Sequence, residues 1–341
     1  MRSFFRYLIL LSALVTISWA AIPGWFNIRF PRQAGPHFNR EVRRKYITTL
    51  NKEQPDIVLL GDSTMMEGVD PELLSELTGR QVSSFHSLGS ASAFWYLILK
   101  NNIVIADHHP QTVIIVFRDT MLTAPGFRVY GGFLDNLDEF ATDHETVLLE
   151  KAYLNHMNWA EIQAEEHIPL YSARENLREK VDTWIRYLVP AWLGCDRQCT
   201  DDAMFNVFTS AELEPGQLQS RITTVEEYLY TPSQLDFHQN VDQSFLPEII
   251  QLTRENNIQL IVVRLKPNTI RTIRLDAPAV GQYITDLSSY LAENGVVFLD
   301  YGRDPRLRSD YFRDSLHLKP EGKTLFTQIL AEGLNGVLKK D

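Results

Sequence analysis

The chain has 341 residues, enough for one large domain or two ordinary ones with a well-buried core. Its 44% hydrophobic and 22% charged residues fit a globular protein and exclude a disordered chain, and no low-complexity stretch or fixed-period repeat is visible. Acidic residues outnumber basic ones, 43 to 33, for a formal net charge of −10. Such a surface repels a phosphate backbone and argues against nucleic acid as a partner.

Arg2 and Arg6 open the chain, and an apolar run follows from Tyr7 to about Phe26. Residues 1–26 read as a signal anchor, since Phe4–Trp25 approaches the roughly 20 residues that a bilayer requires. The alternative is a signal peptide cleaved after Ser18-Trp19-Ala20, with the protein secreted. A buried core helix is the remaining reading. Arg29, Arg32, Arg40, Arg43, Arg44 and Lys45 follow the run. By the positive-inside rule they place the domain in the cytoplasm, although long domains translocate largely regardless of such charges.

Residues 27–54 form a polar, basic connector leading into a helix near Arg40–Lys52. The domain proper spans 55–341. Asp56-Ile-Val-Leu-Leu-Gly61 is a short branched apolar run of the kind that forms a buried parallel strand. A helix over Pro71–Leu77, a weaker strand over Val82–His86 and an apolar helix over Ser92–Asn101 come next. Asp107-His108-His109-Pro110 resembles a metal corner, but it lacks further ligands at a defined spacing and reads better as a turn. Thr112–Phe117 is a strong strand.

Residues 120–240 break the rhythm. They read as a long, mainly helical insertion, with helices near Glu145–Glu166 and Ala173–Leu188, that either caps a site or is a structural appendage. Trp159, Trp184 and Trp192 lie in it, compatible with stacking on sugars and with core packing alike. Cys195 and Cys199 are the only cysteines. A lone close pair behind an export-like start reads as a disulfide on the periplasmic or extracellular side, with two reduced thiols as the alternative.

The alternation then resumes: helix over Phe245–Glu255, strand over Ile258–Arg264, helix over Ala279–Asn294, strand over Val296–Asp300, and a last helix over Pro320–Leu338. Five strands alternating with helices predict a parallel sheet covered on both faces. Reactive groups in such sheets gather beyond the carboxyl ends of the strands.

Gly61-Asp62-Ser63 follows the first strand there. A tight strand-to-helix turn exposes the Ser63 hydroxyl, and the N–H groups at the helix start can hold an oxyanion. The plain alternative is a turn in which Asp62 or Ser63 caps a helix. Asp314-Ser-Leu-His317 precedes the last helix. A histidine can take the serine's proton near neutral pH, and a carboxylate three residues away can orient it. Arg264 and Lys266 end the fourth strand at the same edge, as ligands for an anionic or sugar substrate or as solvated charges. No P-loop and no dinucleotide-binding glycine pattern occurs, so no cofactor is expected.

Gly61-Asp62-Ser63 and Asp314-Ser-Leu-His317 together resemble the first and last blocks of the SGNH/GDSL hydrolase superfamily, over about 55–120 and 245–338. The resemblance implies a flavodoxin-like three-layer αβα sandwich and a triad of Ser63, His317 and Asp314. It also implies an oxyanion hole built from the Ser63 backbone N–H, Gly89 and an asparagine. Where the asparagine is expected, the chain reads Phe117-Arg118-Asp119-Thr120. Arg118 either supplies guanidinium donors in its stead or pairs with Asp119. A membrane-tethered member with a large insertion resembles the O-acyltransferases and esterases that modify cell-surface polysaccharides. That likeness implies an acyl ester or glycan substrate and a membrane-bound O-acyltransferase as partner. A catalytically weak glycan-binding or scaffold protein, and a lipid or small-ester hydrolase, are the alternatives.

Overall fold

The structure is a computed structural model that describes residues 2–26, 29–38, 41–200, 227–268 and 278–338. Arg40 and the 201–226 part of the expected insertion lie outside the described residues. By packing the chain divides into two compact units, Met1–Pro36 with Tyr153–Leu213, and His37–Ala152 with Glu214–Asp341.

In chain order the described elements are α1 (Arg2–Phe26), α2 (Lys45–Glu53), β1 (Ile57–Gly61), α3 (Ser63–Gly68), α4 (Pro71–Thr78), β2 (Val82–His86), α5 (Ser92–Ile98) and β3 (Thr112–Phe117). Then come α6 (Gly132–Asp138), α7 (Thr146–Leu149), α8 (Trp159–His167), α9 (Pro169–Ser172), α10 (Arg174–Trp192), α11 (Phe237–Asn240), α12 (Leu246–Glu255), β4 (Gln259–Arg264), α13 (Pro278–Glu293), β5 (Val297–Asp300) and α14 (Pro320–Asn335).

All five strands of the larger unit pair in parallel, in the order β2-β1-β3-β4-β5. This is the flavodoxin-like doubly wound order. Every side chain of β1 and β3 is buried, as both faces of such a sheet demand. Ile57, Leu59, Ile114, Val116, Ile261 and Val263 point to one face, where they pack with Met65, Leu74, Phe326 and Leu330 of α3, α4 and α14. On the other face α5, α12 and α13 cover the sheet, with Tyr96 stacked on Phe245 at 5.2 Å and Phe237 edge-on to Tyr283 at 5.7 Å. The three-layer α/β architecture is therefore present, with helices on both sides of a five-stranded parallel sheet.

Two expected helices differ in form. Ser92–Asn101 runs as α5 into a π-helical turn at Leu99–Ile103, and Glu145–Glu166 is broken into α7, a π-helical turn at Glu150–Leu154, and α8. The second break coincides with the boundary between the two units at Ala152 and Tyr153. Residues 120–152 belong with the sheet.

In the smaller unit α1 carries a 22-residue stretch, Phe4–Trp25, of mean hydropathy 1.8. It is long and apolar enough to cross a membrane, and with 11% of its window buried it is not a core helix. Lys180 of α10 stands over the Trp25 ring at 5.3 Å, and Arg174 pairs with Glu165 at 2.5 Å. Cys195 and Cys199 are joined by an S–S bond of 1.97 Å. Trp159, Trp184 and Trp192 are 76%, 63% and 81% exposed, so they do not serve as core packing.

Candidate active site

Ser63 is the first residue of α3, one residue after β1. The turn that presents it is fixed by its neighbours. Gly61 has no room for a side chain, because a Cβ there would strike the Cβ of Met65 and lie 3.1 Å from the carbonyl of Val116. Asp62 caps the helix: its buried Oδ1 accepts from the Thr64 N–H at 2.8 Å and from the Thr64 hydroxyl at 2.6 Å. Asp62 therefore caps α3, and Ser63 beside it is half-buried.

Asp314 and His317 lie on a narrow loop whose ends pair at Phe312 and Leu318 and which is cross-linked by the Arg313 N–H on the His317 carbonyl at 2.8 Å. Gly322 at the start of α14 lets the loop lie close, since a Cβ there would sit 2.6 Å from the Tyr311 carbonyl. Ser63 Oγ stands 2.9 Å from His317 Nε2, and His317 Nδ1 stands 2.8 Å from Asp314 Oδ2. The ionised Asp314 oxygen only accepts, so it fixes the proton on Nδ1 and leaves the Nε2 lone pair for the serine hydroxyl.

Asp314 Oδ1 accepts the backbone N–H groups of Leu316 and His317, each at 2.8 Å. Burial alone would raise this carboxyl. The His317 side chain and these two N–H groups outweigh burial and hold it down at about 2. It is ionised throughout the range in which a histidine can act as base. Asn268, six per cent exposed, supports the loop through its side-chain amide on the Asp314 carbonyl at 3.1 Å and its backbone N–H on the Ser315 carbonyl at 3.1 Å.

Gly89 lies in the loop between β2 and α5 with φ +71°, a left-handed conformation suited to glycine. The adjoining Ser90 hydroxyl donates to the Gly61 carbonyl at 3.0 Å, tying this loop to the Ser63 turn. A Cβ on Gly89 would lie 2.6 Å from the Phe133 ring and 3.1 Å from Arg128 Nη1.

Arg118 takes the pairing alternative. It is 3% exposed, with Nη1 at 2.5 Å from Asp119 Oδ2 and Nε at 3.9 Å from Asp62 Oδ2. Burial opposes its charge, but Asp119 and then Asp62 raise its pKa above the ordinary value. The Tyr230 hydroxyl closes this buried group by donating to Asp119 Oδ1. Burial, and then Asp119, push the Tyr230 phenol far above its usual pKa.

Arg264 and Lys266, expected as substrate ligands or solvated charges, both have internal partners. Arg264 is buried, its Nη1 3.2 Å from Asp300 Oδ2, with Gly302 packed so close that a Cβ there would meet the guanidinium carbon at 2.7 Å. It lines a cavity of about 330 Å³ beneath α13, with Val280, Thr285 and Arg303 among its neighbours, and neither Ser63 nor His317 lines that space. Lys266 is buried as well and donates to the Asp304 carbonyl at 2.7 Å. Facing inward at the strand end, both cations are consumed by internal partners. His108 and His109 of the expected turn stand 3.2 Å and 2.9 Å from the backbone carbonyls of Pro55 and Val104.

Sequence reasoning passed over Asn268, Arg128 and Tyr230. Asn268 carried a signal, since it lies four residues past β4 at the edge where reactive groups gather. Arg128 lies in an irregular segment and Tyr230 ends a single 3-10 turn, Glu227–Tyr230, neither with a periodicity to place it.

No family model matches the chain, and no curated protein matches it. Among solved structures, the chain is similar to a GDSL-like lipase from Bacteroides thetaiotaomicron VPI-5482, with a TM-score of 0.37 and 11% identity over 86% of this chain and 98% of that one. It is also similar to a protein described as an acylhydrolase from Bacteroides fragilis NCTC 9343, with a TM-score of 0.38 and 12% identity over 86% of this chain and 96% of that one. Superpositions this loose carry no weight for the chemistry, which rests on the serine, histidine and carboxylate geometry.

Proposed function

We propose that the protein is a serine esterase or O-acyltransferase of the SGNH/GDSL kind, working through an acyl-serine intermediate. The observation that carries this reading is the unbroken chain Ser63 Oγ–His317 Nε2 at 2.9 Å and His317 Nδ1–Asp314 Oδ2 at 2.8 Å. Ser63 Oγ attacks the ester carbonyl carbon while its proton passes to Nε2. The carbonyl π electrons move to the oxygen, which the Ser63 and Gly89 backbone N–H groups receive. The tetrahedral species collapses, the C–O bond to the leaving alcohol breaks, and Nε2 returns the proton to that alcohol. Water or a sugar hydroxyl, deprotonated by the same nitrogen, then takes the acyl group from Ser63.

The acceptor we favour is a cell-surface polysaccharide, acetylated or deacetylated by a domain tethered through α1 on the periplasmic or extracellular side. The apolar helix Phe4–Trp25 and the Cys195–Cys199 bond support that placement, and a membrane-bound O-acyltransferase is the partner it would need. Supplying an aryl acetate with and without an acetyl-free oligosaccharide tests the reaction. Acetate release in water that shifts to glycan product on adding the acceptor supports transfer. Acetate release that never shifts leaves an esterase and removes the transferase. Thiol labelling of intact cells tests the side: Cys195 and Cys199 reduced and shielded would place the domain in the cytoplasm.

A further inference from the structure

Arg128 stands against Gly89, with Nη1 3.1 Å from the position of a glycine Cβ. Its guanidinium carbon lies 5.0 Å from the Phe127 ring centroid and 5.4 Å from that of Phe133. The two rings hold the cation in place but offer it no hydrogen-bond acceptor. Among the described residues no carboxylate pairs with Arg128, and its buried Nε makes no hydrogen bond. Its backbone is in the left-handed region at φ +57°, which a long side chain rarely adopts.

Three unfavourable features therefore meet in one residue: a strained backbone, a partly desolvated charge and an unanswered donor. Burial, followed by the field of Arg118, lowers its pKa, while Asp62 pulls it back up, so its charge is felt beside the Ser63 turn. A guanidinium stays protonated at any physiological pH. Strain and unpaired charge kept together at a site point to function. Arg118, by contrast, is held by Asp119 and buried behind the strand end.

We propose that Arg128 is the side-chain donor of the oxyanion hole, standing in for the missing asparagine and completing the set formed by the Ser63 and Gly89 N–H groups. This rests on the reading of Ser63 as an acyl-carrying nucleophile. The guanidinium presents N–H groups and a full charge to an oxygen that becomes anionic only in the transition state. Its benefit falls on turnover rather than on binding of a neutral ester.

The test measures Ser63 phosphonylation by a fluorophosphonate, aryl-ester kcat and KM, and the thermal midpoint, in wild type, Arg128→Gly and Arg128→Lys. Glycine accepts φ +57° without strain, and lysine keeps the charge without the fork. The proposal expects kcat and labelling to fall about 100-fold in Arg128→Gly, with KM within about twofold. It expects the midpoint to hold or rise, added guanidinium ion to restore part of the rate, and Arg128→Lys to lose at least about tenfold. Wild-type labelling and kcat in both variants would overturn it. So would a loss confined to KM, or a rate loss that tracks a lowered midpoint and ignores guanidinium. A wild type that never labels overturns the nucleophile reading itself, and the role of Arg128 with it.

Discussion

The side-chain amide of Asn268 donates to the backbone carbonyl of Asp314 at 3.1 Å. That bond joins the end of the β4 edge to the loop that carries the acid and base. Together with its backbone N–H on the Ser315 carbonyl, this bond makes Asn268 a positioning residue for the loop. Asn268→Ala should lower kcat about tenfold, leave KM within about twofold, and lower stability by about 1 kcal/mol. Steady-state kinetics together with a urea melt check this. Unchanged kcat with the stability loss present would reduce Asn268 to a structural residue.

Asp314 fixes the tautomer of His317, and removing its charge should cost far more than removing its support. Asp314→Asn is expected to lower kcat by about 10⁴ while the fold persists, because the amide can donate to Nδ1 and turn the wrong tautomer toward Ser63. A loss under tenfold would mean that another group orients the ring.

The same carboxylate makes stability depend on acid. Its folded pKa of about 2 lies below the ordinary 3.8. Its contribution is therefore complete above the unfolded value and is lost as pH falls from about 4 through about 2. With solvent screening allowed for, that contribution is about 1–2 kcal/mol. Unfolding free energies of wild type and Asp314→Asn should converge as pH drops across this window. Parallel curves would contradict the assignment.

Asp119 accepts from the Arg118 guanidinium and from the Tyr230 hydroxyl. Tyr230→Phe leaves a buried carboxylate oxygen one donor short and should cost about 1–3 kcal/mol. Arg118→Ala removes the buried cation that pairs with Asp119 and lies near Asp62, and should cost about 3–5 kcal/mol. Denaturant melts of both variants check the order, and a smaller loss for Arg118→Ala than for Tyr230→Phe would contradict the Arg118–Asp119 pair as the main support of this buried group.

The larger unit's fold was legible because the strands announce themselves. Ile57–Gly61 and Thr112–Phe117 are continuous branched runs that only a doubly covered sheet buries. Ser63, Asp314 and His317 were legible because a helix-capping turn and a three-residue acid–base spacing are local features. The fate of the cations was not. Arg118, Arg264 and Lys266 all lie at or just past the carboxyl ends of β3 and β4, yet each turns toward an internal acceptor, Asp119, Asp300 or the Asp304 carbonyl. Charge in a sequence reveals position along the chain but not which buried partner will take it. The π-helical turns at Leu99–Ile103 and Glu150–Leu154 were likewise hidden, because their apolar spacing imitates continuous helix.

The most direct measurement is intact and peptide mass spectrometry of the protein after exposure to a fluorophosphonate at neutral pH. One phosphonyl adduct on the peptide carrying Ser63, absent in Ser63→Ala and strongly slowed in His317→Ala, is the predicted result. A folded wild type that gains no adduct from pH 6 to 9, or gains it equally in Ser63→Ala, would contradict the assignment of Ser63 as the nucleophile.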